Sequence, residues 1–147
     1  MLADSSDIIY ASEKAKFGQP EVKLGLMPGF AGTVRLPRKA GLGAAAEWTF
    51  TGEIYSAADA KEVGLVHKIL PPDELMDHVR GIADIISQRA PIAVRASKKA
   101  IVNGLGMTPD AAAAAEVEAF GGLFATADAA EGCAAFVEKR DAEWTGE

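Results

Sequence analysis

The sequence predicts an α/β fold in which a few short strands are followed by a helical C-terminal region. Three observations predict it. The short runs rich in Ile, Val, Phe and Tyr all lie before residue 71. After residue 71 the apolar residues recur at helical spacing, with Leu75, Val79, Ile82, Ile85 and Ile86 on one stripe. Capping residues, prolines and glycines fall at the ends of those helical stretches.

In chain order, "DIIYAS" (7–12) reads as a buried strand, and "KFGQPEV" (16–22) as a second extended piece interrupted at Pro20. "PGFAGT" (28–33) is a turn that leads into a helix continuing through "VRLPRKAG", and "LGAAAEWTFTG" (42–52) is a further short helix closed by Gly52. Ser56 caps "SAADAKEVGL" (56–65), with Asp59 three residues on in the capping-box position and Gly64 as the stop. "VHKIL" (66–70) is a third strand. Helices are then expected over 71–90, 91–105, 108–126 and 128–144, the third opened by Thr108 as cap and Pro109 at the first helical position. Three strands are few for a stable sheet.

A chain of 147 residues is one domain's worth and can bury a real core. With 49% hydrophobic and 24% charged residues it reads as globular, not disordered. The formal net charge of −6 argues against a general nucleic-acid binder, which needs a basic face. One cysteine, Cys133, permits no internal disulfide and fits a reducing compartment. No basic n-region precedes an apolar run, and no stretch is long enough to span a bilayer, so no membrane is expected. The expected setting is the cytoplasm or an organelle matrix.

The segment "FGQPEVKLGLMPGFAGTVRL" (17–36) carries the candidate chemistry. Pro20 fixes the backbone before Glu21 and restricts Gln19 to an extended form, so the segment can aim one carboxyl at a site. A solvated loop carboxylate is the plain alternative. Gly29 has no Cβ and allows close approach, though an ordinary turn before a helix would also use it. Arg35 and Arg38 read most simply as surface charges. His67 and His78 do not share metal-ligand spacing with Cys133, so no metal site is expected. Cys133 reads as buried and inert, and Trp48 and Trp144 carry no motif.

Taken in order, "FGQPE", "LGLMPG", "SAADAKEVGLV" and "EGCAAFVEKR" resemble the enoyl-CoA hydratase (crotonase) family over residues 1 to about 140. The resemblance is to the C-terminal half of that family's chain, and implies part of its ββα-spiral fold. Residues 1–70 would then be the end of the spiral core and 71–147 a helical region for oligomer and CoA contacts. It implies hydration of a trans-2-enoyl-CoA, with the CoA thioester as substrate and no other cofactor. Glu21 matches the family's proton donor to the α-carbon, and Gly29 a glycine whose backbone helps hold the water. Lys139 matches a lysine that meets the CoA phosphates, though a lysine near a helix end is usually just solvated. Phe120 matches an aromatic near the adenine, but also reads as a helix core residue. Met1 stands where the family's first catalytic Glu would be. The chain alone is therefore expected to be incomplete for catalysis, with "DIIYAS" short of sheet neighbours. A homo-trimer or hexamer is expected, or a companion chain carrying the other half. An enoyl-CoA isomerase and a non-catalytic oligomerisation module remain as alternatives.

Overall fold

The computed structural model describes residues 5–147. They form two compact units, one ending at Arg80 and the other running Gly81–Glu147. Met1 lies outside the described residues.

The first unit holds four strands, each three residues long: β1 (Tyr10–Ser12), β2 (Lys16–Gly18), β3 (Ile54–Ser56) and β4 (Lys68–Leu70). Between them lie a 3-10 helix (Pro20–Leu24) and two α-helices, α1 (Gly32–Thr51) and α2 (Ala57–Glu62). β1 pairs with β4 in parallel, Tyr10 opposite Lys68, and β2 pairs with β3 antiparallel, Phe17 opposite Tyr55. A parallel pair needs a long crossover, which α1 and α2 supply. The β1–β4 pairing is extended on both sides: Glu13 N–H donates to Leu70 O at 3.0 Å, and His67 N–H to Ile9 O at 2.8 Å. His67 Nδ1 accepts from Ile9 N–H at 3.0 Å.

The core of this unit is a cluster that includes Ile9, Leu36, Trp48, Ala60, Leu65 and Val66. Trp48 is 3% exposed and stacks on Tyr55, centroids 4.3 Å apart and planes 10° off parallel. This stack ties α1 to β3, and it gives Trp48 a packing role that no motif announced.

α1 is bent at Gly41, whose φ of 80° and ψ of 163° are not helical. Only glycine takes that conformation without strain. The expected break between two helices therefore occurs, at the last residue of the first stretch. A straight helix of this length would be about 30 Å long. The bend lets both ends of α1 meet one short segment. A Cβ on Gly32 would lie 2.6 Å from Gln19 Oε1, and one on Gly52 would lie 2.9 Å from Val22 Cγ2.

Two expectations are corrected here. Residues 16–22 are not one extended piece: β2 ends at Gly18 and Pro20 opens the 3-10 helix. Pro at the first helical position has its φ preset and no N–H to lose. β3 is a fourth strand, unforeseen because "IYS" is too short to show alternation.

Helix α3 (Leu75–Ser87) crosses the boundary between the units. The second unit holds α4 (Pro91–Gly104), α5 (Pro109–Leu123), α6 (Ala127–Glu138) and a C-terminal tail. A short connection makes α4 and α5 an αα-hairpin, with Gly104 close to Ala112. Thr108 and Thr126 cap α5 and α6 through their hydroxyls, each accepting from the backbone N–H three residues on.

The last helix does not reach Trp144. α6 ends at Glu138, and Lys139 takes a left-handed conformation with φ of 56°. Arg140 N–H reaches back to Ala135 O and Lys139 N–H to Phe136 O, which is a Schellman closure. The tail then folds onto α6. Asp128, 3% exposed, accepts from Thr145 N–H at 2.8 Å and from Gly146 N–H at 3.1 Å. Glu131 accepts a forked pair of bonds from the Arg140 guanidinium and a third from Glu143 N–H. Trp144 lies against Gly132 and donates to Gln88 O at 2.9 Å. Among the described residues no helix is long and apolar enough to cross a membrane.

Candidate active site

Glu21 lies one residue inside the 3-10 helix, held from both sides. Pro20 fixes φ before it. After it, Gly25 turns left-handed with φ of 72°, Leu26 N–H donates to Glu21 O at 3.1 Å and Gly25 N–H to Val22 O at 3.1 Å. The backbone that carries the carboxyl is thus closed on itself. Glu21 is half-buried, and its Oε2 is shielded from solvent with no hydrogen-bond partner among the described residues. The nearest cation in sequence is committed elsewhere: Lys23 Nζ pairs with Glu53 at 2.8 Å. A shielded carboxyl oxygen with open acceptor capacity is a group that can take or give a proton.

Gly29 begins the turn that enters α1. Its carbonyl accepts from Gly32 N–H at 3.0 Å, and no atom lies within 4 Å of where a Cβ would be. Phe30 and Ala31 follow with φ of 49° and 58°. Two consecutive non-glycine residues in the left-handed region store strain at this corner. Arg35 donates to Phe30 O at 3.1 Å and so holds the strained turn. It is more than a surface charge, and the sequence signal was only its place one turn into the helix.

Phe120 and Lys139 lie in the second unit on separate elements. Phe120 is 62% exposed on α5, edge-on to Phe124 with centroids 5.2 Å apart. It is therefore not a core residue, and it lines a shallow apolar groove of ≈ 280 Å³ with Leu123, Phe124, Cys133 and Trp144. Lys139 is exposed at the left-handed end of α6. Cys133 is exposed, contrary to the expectation of a buried thiol, and opens onto the groove that it shares with Trp144. Among the described residues no group of His, Cys, Asp or Glu could hold a metal ion. The large electrostatic shifts lie in the tail, away from Glu21 in sequence. Hydrogen bonds from Arg140 and from Glu143 N–H lower Glu131 to about 2, and the same carboxylate with Glu138 raises Arg140.

Gln19 is the residue that sequence reasoning passed over. It is 3% exposed, packed against Gly32, and its Oε1 has no partner among the described residues. The only sequence signal was its place before Pro20, read as a backbone restriction.

The model for the enoyl-CoA hydratase/isomerase family matches residues 1–147. The short-chain-enoyl-CoA hydratase of Clostridium acetobutylicum is 47% identical over 142 residues, 97% of this chain and 54% of that one. The crotonyl-CoA hydratase of Syntrophomonas wolfei is 46% identical over 97% of this chain and 55% of its own. A short-chain-enoyl-CoA hydratase of Clostridioides difficile is 45% identical over 92% of this chain and 87% of its own. The crystal structure of the Bacillus anthracis enoyl-CoA hydratase superposes with a TM-score of 0.96 at 40% identity, over 99% of this chain and 57% of that one. The chain thus spans about half the length of the first two relatives. The fold of the described residues is that of these enoyl-CoA hydratases, the crotonase fold. Matched from its first residue to its last, the chain belongs to the enoyl-CoA hydratase/isomerase family.

Proposed function

We propose that the protein carrying this chain is an enoyl-CoA hydratase, adding water syn to a trans-2-enoyl-CoA to give a 3-hydroxyacyl-CoA. In the reaction the π bond between the α- and β-carbons opens, one O–H bond of water breaks, the oxygen bonds to the β-carbon, and a proton bonds to the α-carbon, the proton that water releases replacing the one that the acid gives up. Glu21 delivers that proton and Gly29 helps hold the water through its backbone. Charge building on the thioester oxygen needs backbone N–H donors, each worth about 10²–10³ in rate. Lys139 meets the CoA phosphates and Phe120 packs near the adenine. The acyl-CoA is substrate, and no other cofactor takes part. The reading places the protein in the cytoplasm, in fatty-acid or related acyl-CoA metabolism, as a homo-trimer or hexamer or beside a companion chain.

The observation that carries the proposal is the solvent-shielded, unpartnered Oε2 of Glu21 on a backbone closed at both ends. The test is hydration of crotonyl-CoA by the protein and by Glu21→Gln. The expected result is a fall of about 10²–10⁴ in kcat for the variant, and equal turnover would overturn the assignment. A 3-enoyl thioester run in parallel separates hydratase from isomerase. Inactivity on both thioesters, with self-association retained, would favour a non-catalytic module.

A further inference from the structure

We propose that Gly52, with Glu53 beside it, is a positioning residue for the Glu21 carboxyl: the corner between α1 and β3 seats the 3-10 helix, and it does so because residue 52 has no Cβ. The inference rests on the hydratase reading and adds to it a residue that acts through Glu21.

The corner touches the segment on both sides of Glu21. Before Glu21, a Cβ on Gly18 would lie 2.7 Å from Glu53 O, where β2 pairs with β3 and Gly18 stands opposite Ile54. After it, a Cβ on Gly52 would lie 2.9 Å from Val22 Cγ2 and 3.2 Å from Lys23 Cγ. Lys23 Nζ pairs with Glu53 Oε1 at 2.8 Å. Gly18, Val22 and Lys23 thus rest on two consecutive residues, and Glu21 lies between them in the chain.

The corner is itself fixed. Gly52 has φ of 64°, and its N–H donates to Trp48 O at 3.2 Å to end α1. Thr51 Oγ1 donates to Glu47 O at 2.7 Å and accepts from Glu53 N–H at 3.3 Å. Trp48, one turn back, is buried in the core. The 3-10 helix is only five residues long, with the poorer hydrogen bonds of its kind. A methyl at position 52 therefore displaces the 3-10 helix and not the corner, and Val22 carries its neighbour Glu21 with it. A misplacement of about 1 Å in a reacting group can cost about 10² in rate. Lys139 and Phe120, assigned to the CoA, lie on other elements, so the loss is expected in kcat and not in KM.

The experiment compares the protein with Gly52→Ala, Val22→Ala and the double variant. One readout is crotonyl-CoA hydration. The other is the broadening of the Glu21 carboxyl-carbon NMR signal by a soluble gadolinium chelate, which reads solvent access to the carboxyl. In Gly52→Ala, kcat is expected to fall about ten- to hundredfold with KM unchanged, and the broadening to rise. Val22→Ala removes the Cγ2 that the new methyl meets. The double variant is therefore expected to regain the kcat and the shielding of Val22→Ala. Its melting temperature should stay about 2–8 °C below that of Val22→Ala, because alanine still strains the left-handed corner. Rate regained in a protein that is still destabilised reports placement and not folding. A kcat loss that Val22→Ala does not restore overturns the proposal, as does a folded Gly52→Ala with unchanged kcat and shielding. If Gly52→Ala does not fold, Glu53→Ala decides, since that exposed side chain can be lost without unfolding the chain. Its kcat is expected about two- to fivefold lower with more broadening, and no change in either overturns the proposal. Absence of turnover by the unsubstituted protein removes the hydratase reading, and the broadening then decides by itself whether the corner sets the carboxyl.

Discussion

Ala31 holds φ of 58° and Phe30 holds 49°, and both carry a Cβ that the left-handed region penalises. Ala31→Gly is expected to stabilise the first unit by about 0.5–1 kcal/mol, the relief of strain being partly offset by the added freedom of the unfolded chain. Urea unfolding checks this, and a loss of stability would mean that the turn is not strained. Gly32→Ala should act the other way by about 1–3 kcal/mol, since the new methyl collides with the buried Gln19 amide. At this scale the sequence was partly legible. Glu21 could be singled out only through the family resemblance, because a proline beside an acidic residue restricts the backbone but fits a solvated loop equally well. Gln19 and Arg35 could not, because burial against Gly32 and a bond to Phe30 O depend on where α1 starts in space.

Capping chemistry is local, and the elements that depend on it were readable. Ser56 accepts from Asp59 N–H at 3.2 Å while the Asp59 carboxylate accepts from Ser56 N–H at 2.7 Å, the reciprocal box that the spacing predicted. The side-chain and backbone bonds from Ser56 lower the Asp59 carboxyl below its usual range. Ser56→Ala is expected to cost about 0.5–2 kcal/mol in unfolding free energy. The end of α6 was not readable, because no glycine or proline follows Glu138. The stop is a lysine in the left-handed position, which is secured by tail contacts from distant residues. Those contacts carry a pH dependence. Glu131 titrates near 2 in the folded chain instead of 4.5, so its contribution is complete above pH 4.5 and is lost as the pH falls towards 2. The protection factor of the Glu143 amide, corrected for the intrinsic pH dependence of exchange, should fall through that window, and in Glu131→Gln it should be low on both sides of it. Protection that stays constant down to pH 2 would remove Glu131 as the clasp.

Across the whole molecule, the helical run after residue 71 was legible because its apolar residues recur at helical spacing, whereas the short strands before it show only as brief apolar runs interleaved with helices. The partner of β1 was not. Tyr10 pairs with Lys68, and nothing local in either strand names the other. The same scale exposes a feature that no single helix reveals. α3, α4 and α5 contain no buried residue, although α3 carries an apolar stripe and α4 and α5 carry large apolar side chains. Ile101 is 69% exposed, Val117 70% and Phe124 67%, on a molecule whose other large exposed apolars include Leu42 and Phe50. Apolar surface on this scale is uncommon on a soluble monomer and marks contact with other protein. The chain is therefore expected to sediment at a multiple of its 15.3 kDa mass at micromolar concentration. Ile101→Glu and Val117→Glu, placed on side chains that are already exposed, should shift the population towards monomer without changing helical circular dichroism. Both side chains are more than two thirds exposed, so the added charges reach water and, with helical content unchanged, a loss of association would report the surface itself. A parent chain that sediments as a stable monomer, with both variants indistinguishable from it, would show that these helices meet water as they stand.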